Sequence, residues 1–144
     1  MSRQRHIGRT PAIEGSRRRS AGPLPLDARV KVWLEKDGRY VFGHGLSEIL
    51  KSVEAAGSIK AAAASLGKSY RYVWGRIKKA EDSLGEPLVS TRVGGAEAGR
   101  SSLTPLAARM VADYDALRER MFGVAREEFA SRFLTLGGTR AARG

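Results

Sequence analysis

The spacing of apolar and polar residues changes period several times along this chain, and each change marks an element. From about Ala28, Val30, Val32 and Leu34 alternate with Lys31, Trp33 and Glu35, and a second apolar run follows in Tyr40-Val41-Phe42. Runs of period two predict strands, and Asp37-Gly38 between them supplies the residues that a two-residue hairpin turn demands. Gly43 and Gly45 then release the chain into a helix striped by Leu46, Ile49, Leu50 and Val53 and ended by Gly57. A second, thin helix opens on Ser58 as N-cap, passes through Ala61, Ala62, Ala63 and Ala64 to Leu66 and stops at Gly67. Ser69 caps a third helix, in which Tyr70, Val73, Trp74, Ile77, Ala80 and Leu84 recur at helical spacing and predict a core face, with Gly85 at the end.

The second and third helices, joined by a tight turn, read as a helix-turn-helix. Ala63 and Gly67 are small enough for the close crossing that this motif requires. Lys68, Ser69, Arg71, Tyr72 and Arg76 are left on the outer face, with Lys78 and Lys79 following. Such side chains donate to guanine edges and to phosphates, and the first turns of a recognition helix are the part that reaches base edges. The bland alternative is a solvated basic helix face. Tyr70 is claimed by both readings, since its spacing also makes it core.

Beyond Leu84, Gly85-Glu86-Pro87-Leu88-Val89-Ser90-Thr91-Arg92, a glycine-containing loop from 93 to 101, and Ser102-Leu103-Thr104 predict two short strands around a loop, which is a wing. Arg92 and Arg100 flank it, placed for DNA backbone or minor groove, unless they are only solvated loop charges. The segment Gly94-Gly95-Ala96-Glu97-Ala98-Gly99-Arg100-Ser101 imitates a phosphate-binding loop, with Arg in place of the lysine. That chemistry also needs a helix directly after the loop. Here Ser102-Leu103-Thr104 intervenes, and the next helix starts only at Pro105, capped by Thr104.

This last helix carries Met110, Tyr114, Leu117, Met121 and Val124 at spacings of 4, 3, 4 and 3 residues, with Phe129 and Phe133 beyond. Alternating spacings of that kind form the seam of paired helices, so these residues are expected to dimerise the chain about a two-fold axis. The alternative is packing of the helix on its own domain. The fold expected is mostly α with a small amount of β: a winged helix-turn-helix preceded by a β-hairpin and followed by a long C-terminal dimerisation helix.

Composition narrows the partner. The chain has 144 residues, 42% of them apolar, enough for one domain with a modest core, and its formal net charge of +11 favours a polyanion. Of that charge, a good part lies in the N-terminal tail, residues 1–27, whose first 26 residues hold Arg3, Arg5, Arg9, Arg17, Arg18 and Arg19 against Glu14. This tail is expected to be a disordered arm, either adding phosphate or minor-groove contacts or an incidental leader. Residues 28–133 are expected to form the winged helix-turn-helix domain with its dimerisation helix, and 134–144 a flexible end. There is no cysteine, no apolar signal core and no run of the ~20 apolar residues that span a bilayer. A cytoplasmic, nucleoid-associated protein is expected.

The order hairpin, helix, helix-turn-helix, wing and long helix resembles the N-terminal DNA-binding domain of the ModE-type, molybdenum-responsive regulators, itself similar to the LysR-type winged helix. The match is carried by Glu54-Ala55-Ala56-Gly57-Ser58-Ile59, Ala61 to Gly67, Ser69-Tyr70-Arg71-Tyr72-Val73-Trp74, Leu84-Gly85-Glu86-Pro87-Leu88-Val89, Gly94-Gly95 and Leu103-Thr104-Pro105 followed by Met110, Val111 and Tyr114. It covers roughly residues 28–130. The hairpin and the Ser-Tyr…Trp arrangement favour ModE over LysR. The resemblance implies a homodimer on a palindromic operator, joined mainly through the hairpin region and the long helix, with Ser69, Tyr70, Arg71 and Tyr72 as the base-reading segment. The chain departs from the family at Ala96-Glu97-Ala98, where glycine is commoner, and at Ala107, where glycine is usual. Full-length regulators of this type continue into a molybdate-binding domain, whereas this chain stops, so no oxyanion pocket or other small-molecule site is assigned.

Nothing in the chain suggests an enzyme, a cofactor or a metal site. His6 lies in the tail and His44 in the Gly43-His44-Gly45 connection, expected near a helix start or in solvent, and no spacing brings a nucleophile or paired carboxylate beside either. An RNA reader would show aromatics on an exposed sheet, where only Trp33 is a candidate. A protein-interaction module that had lost DNA would carry acidic or bulky residues on the third helix, where Arg71 and Arg76 stand instead.

Overall fold

A computed structural model describes residues 25–134; the Arg-rich tail up to residue 24 and the end beyond residue 134 lie outside the described residues. Ordered pairing begins later than the alternation predicted. Strand β1 (Trp33–Lys36) lies antiparallel to β2 (Arg39–Gly43), with Leu34 opposite Phe42 and an irregular register between Leu34 and Glu35. Asp37 and Gly38 make the turn at φ 53° and 74°, both in the left-handed region. Val41 and Phe42 are both buried, which breaks strict alternation, because β2 packs against two helices.

Those helices are α1 (His44–Ala56) and α3 (Tyr70–Leu84), with α2 (Ile59–Leu66) between them in the chain. Helix α1 buries the predicted stripe Leu46, Ile49, Leu50 and Val53. Complete burial of side chains of this size stabilises by about 1.5–3 kcal/mol each. The two predicted N-caps form: Ser58 Oγ accepts from Ala61 N at 3.0 Å and Ser69 Oγ accepts from Tyr72 N at 3.1 Å. The crossing of α2 is made by buried Ala62 and Ala63. Gly67 takes no part in it, since a Cβ there would meet nothing within 4 Å; its role is the left-handed turn at φ 65°.

The wing consists of β3 (Val89–Thr91) antiparallel to β4 (Ser101–Leu103), Val89 facing Leu103. Helix α4 (Pro105–Arg132) follows, its start capped by Thr104 Oγ1, which accepts from Ala107 N at 3.2 Å. Residues 30–123 form one compact unit. The described residues 25–29 and 124–134 belong to a second, in which the rings of Phe129 and Phe133 stack with centroids 5.2 Å apart.

Polar side chains tie the first unit together. The Glu81 carboxylate accepts from Leu88 N at 2.7 Å and Val89 N at 3.3 Å, holding the start of the wing to α3. Glu54 accepts from Leu103 N at 2.7 Å, and Ser101 N donates to Gly57 O at 2.7 Å, so the wing's second strand is fastened to the end of α1. Asp115 on α4 accepts from Ser47 Oγ and Lys51 Nζ on α1, each at 2.8 Å. Burial opposes the Asp115 charge, but these bonds prevail and hold its pKa below the usual value.

Tyr114, assigned by its spacing to the dimer seam, is inside its own chain. It is 2% exposed, packs edge-on against Phe42 with centroids 5.2 Å apart, and donates from Oη to Val32 O at 2.7 Å. The hairpin gives this ring an intrachain pocket, which the seam pattern alone does not reveal.

Candidate nucleic-acid interface

Helix α3 presents two unlike sides. Val73, Ile77 and Ala80 are at most 3% exposed and fix it to the core. The predicted stripe is narrower than its spacing suggested. Trp74, expected in the core, is 43% exposed, because one residue past Val73 it is turned about 100° around the helix axis. Lys78 Nζ lies 5.8 Å from the centroid of its ring. Tyr70, claimed by both readings, is 52% exposed at the first helical position and belongs to the outer face.

Around that first turn Lys68, Ser69, Tyr70, Arg71 and Tyr72 are all exposed. The Tyr72 ring has the Lys68 ammonium 5.5 Å and the Arg76 guanidinium carbon 5.8 Å from its centroid. Such cation–ring contacts contribute about 0.5–1 kcal/mol at exposed sites and restrain long side chains in the process. Arg76 is half-buried; Arg71 and Lys79 are exposed. The helix thus carries a cluster of donors above a rigid base, the arrangement that lets side chains enter a groove without first being ordered.

The wing loop closes on itself. Arg92 N donates to Arg100 O at 2.9 Å and Gly99 N to Arg92 O at 2.8 Å, so the two predicted flanking arginines face each other across the loop's base. Arg92 Nε is 3.4 Å from Glu97 Oε2; with both side chains well exposed, the pair contributes about 0–1 kcal/mol. The Arg100 guanidinium lies against Gly57, whose Cβ, if present, would stand 3.7 Å from Arg100 Cζ. Strand β4 follows Arg100 directly, so the phosphate-loop imitation lacks the helix its chemistry needs.

Residues 46–108, from the first turn of α1 through the wing to the start of α4, match the family of bacterial regulatory helix-turn-helix proteins of the LysR type. This segment is thus similar to the LysR-type helix-turn-helix DNA-binding domain. Over 69 residues the chain is 33% identical to the molybdenum-pterin-binding protein MopB of Rhodobacter capsulatus, an alignment that takes in 48% of this chain and 26% of that protein. The chain therefore spans about a quarter of that curated relative's length. Among solved structures, a complex of the CbnR DNA-binding domain with DNA is similar at TM-score 0.47 and 20% identity, covering 60% of this chain and 94% of that one. VV2_1132, a LysR family transcriptional regulator, is similar at TM-score 0.45 and 24% identity, covering 60% of this chain and 28% of that one.

The hairpin and most of α4 lie outside the segment matched to the LysR-type domain. On α4, Met110 is half-buried against the domain core, Met121 is half-buried, and Leu117 and Val124 are 40% and 42% exposed. His44 opens α1; its Nδ1 is buried without a hydrogen-bond partner and stands 3.9 Å from Glu48 Oε1. Burial, and then the charge of Arg118, push its pKa below the ordinary value, so the ring favours its neutral form. Among the described residues no cluster of His, Asp and Glu could hold a metal ion, and no helix is long and apolar enough to cross a membrane.

Sequence reasoning missed Glu81, Glu54 and Tyr40. A glutamate on a helix gives no sign that it will cap a strand seven residues later. Tyr40 reads as one alternating position of a strand, although its hydroxyl meets Arg76.

Proposed function

We propose that this chain is a sequence-specific, double-stranded DNA-binding transcriptional regulator of the ModE type, acting as a homodimer on a palindromic operator. The observation that carries this reading is the first turn of α3, where Lys68, Ser69, Arg71 and Tyr72 are exposed on a helix fixed from behind by Val73 and Ile77. In the proposal this turn enters the major groove, Arg71 and Tyr72 contact bases, Ser69 and Lys68 contact backbone, and Tyr70 packs on sugar or base methyl groups. Lys79, Arg92 and Arg100 supply phosphate contacts. The ModE assignment is supported by the hairpin, by the Ser69-Tyr70…Trp74 arrangement and by the 33% identity to MopB.

The dimer reading is supported by the exposure of Leu117, 40% accessible on α4, with Met121 half-buried on the same helix. Tyr114 is left out of it, being occupied inside the domain.

Selection of bound duplexes from a random pool tests the whole. Enriched half-sites related by two-fold symmetry and spaced about one helical turn support the reading. A pool that emerges without a preferred sequence rejects sequence-specific recognition.

A further inference from the structure

Arg76 differs from the other cations of α3 because it is half-buried and already held on two sides. Its Nη1 donates to Tyr72 Oη at 3.0 Å and its Nη2 to Tyr40 Oη at 3.5 Å. Tyr40 belongs to β2, so the three side chains make a strut from the hairpin to the recognition helix. The Gly43-His44-Gly45 connection makes room for it. Gly43 has φ −154°, which any residue adopts, so its backbone does not call for glycine. A Cβ there would lie 2.5 Å from Tyr40 Oη, and one on Gly45 would lie 3.4 Å from Arg76 Nη2.

We propose that Tyr40 and Arg76 are positioning residues for operator specificity: they hold Tyr72 as a preformed hydrogen-bond donor to an acceptor on a base edge. The proposal rests on the DNA-binding reading above and deepens it. The chemistry follows from the strut. Arg76 donates to the Tyr72 oxygen, so the hydroxyl's own proton is directed elsewhere, and the ring is 44% exposed. In the major groove the acceptors within a donor's repertoire are N7 and O6 of guanine, N7 of adenine and O4 of thymine. A tyrosine has few torsions, and one restrained by a guanidinium loses little freedom on binding, so its contact is retained as discrimination. Arg76, in this arrangement, does not reach phosphate.

The experiment is competition binding of the full chain to the duplex enriched by selection and to a shuffled duplex, over a range of salt. Tyr72→Phe and Tyr40→Phe are each expected to lower the preference for the enriched duplex by about three- to tenfold, the range of a single hydrogen bond, with an unchanged salt slope. The double variant is expected to be no worse than Tyr72→Phe alone. Gly43→Ala, which displaces the Tyr40 ring, is expected to reproduce Tyr40→Phe although the hydroxyls of Tyr40 and Tyr72 are both still present. If Arg76→Ala instead weakens both duplexes equally and lowers the salt slope by about one, Arg76 is a phosphate ligand and the strut is rejected. Preference retained in both Tyr40→Phe and Gly43→Ala also rejects the strut while leaving DNA recognition standing. A wild-type chain that prefers no duplex removes the DNA reading and the proposal with it.

Discussion

Replacing Glu81 by Gln tests how the wing is held. The carboxylate is 9% exposed, and one of its oxygens accepts from both Leu88 N and Val89 N; the other faces Lys78 Nζ at 3.1 Å. A glutamine of the same shape keeps one oxygen for the two backbone donors but loses the charge. Hydrogen bonds to a charged group contribute about 1.5–3 kcal/mol and neutral ones about 0.5–1.5, so the loss is roughly 1 kcal/mol per bond and about 2 kcal/mol for the pair. The Lys78 ion pair adds little, because the Lys78 side chain is 50% exposed. For a domain of this size about 2 kcal/mol corresponds to a fall in Tm of roughly 8–16 °C. The pH dependence has a definite sign. Burial raises the Glu81 pKa, but the Leu88 N–H, Lys78 and Val89 N–H outweigh it and the folded-state value lies below the ordinary 4.5. Stability from this group is therefore complete above the unfolded value and is lost as pH falls through the lower folded one. Thermal melts followed by circular dichroism should show the gap between wild type and Glu81→Gln widest near about pH 7 and narrowing toward about pH 3. Equal melting temperatures at neutral pH, or a gap that does not narrow in acid, would refute the argument.

Arg71→Ala should weaken binding to the preferred duplex by about 1–3 kcal/mol while leaving a shuffled duplex nearly unaffected, measured by fluorescence anisotropy; equal loss on both would reject base contact by Arg71. Tyr114→Phe removes the donor to Val32 O and should cost about 1–2 kcal/mol, seen as a lower urea midpoint at an unchanged slope. The double change Leu117→Glu and Met121→Glu should convert a sedimenting dimer into a monomer with little change in melting temperature. A wild-type chain that already sediments as a monomer at micromolar concentration, with and without operator, rejects the seam.

The elements of this chain are legible because their punctuation is local. Asp37-Gly38, Ser58, Gly67, Ser69, Gly85 and Thr104 each act within a few residues of where they stand, and every one marks a turn or helix boundary in the structure. What failed depends on which neighbours a side chain meets. Trp74 matches an apolar spacing and is nevertheless on the surface, because spacing alone determines the edge of a helical stripe only to within about one position. Tyr114 matches a seam and is nevertheless core, because Val32, 82 residues earlier and just before the hairpin, supplies its hydrogen-bond acceptor. Among the proposed DNA contacts, exposure and residue type could be read ahead; the engagement of Arg76 by Tyr40 and Tyr72 could not, since it joins two elements distant in the chain.

The stretch between Arg92 and Arg100 is closed by backbone hydrogen bonds among its own residues, while Glu54, Glu81 and Gly57 secure the strands at its base. The tip is in effect an exchangeable cartridge: apart from Gly94, Gly95 and Gly99, held at φ 81°, 78° and 81°, its residues are open to replacement at little cost to the frame beneath. Charge and length can therefore drift at those solvent-facing positions while the hydrogen bonds that keep the module folded are inherited unchanged.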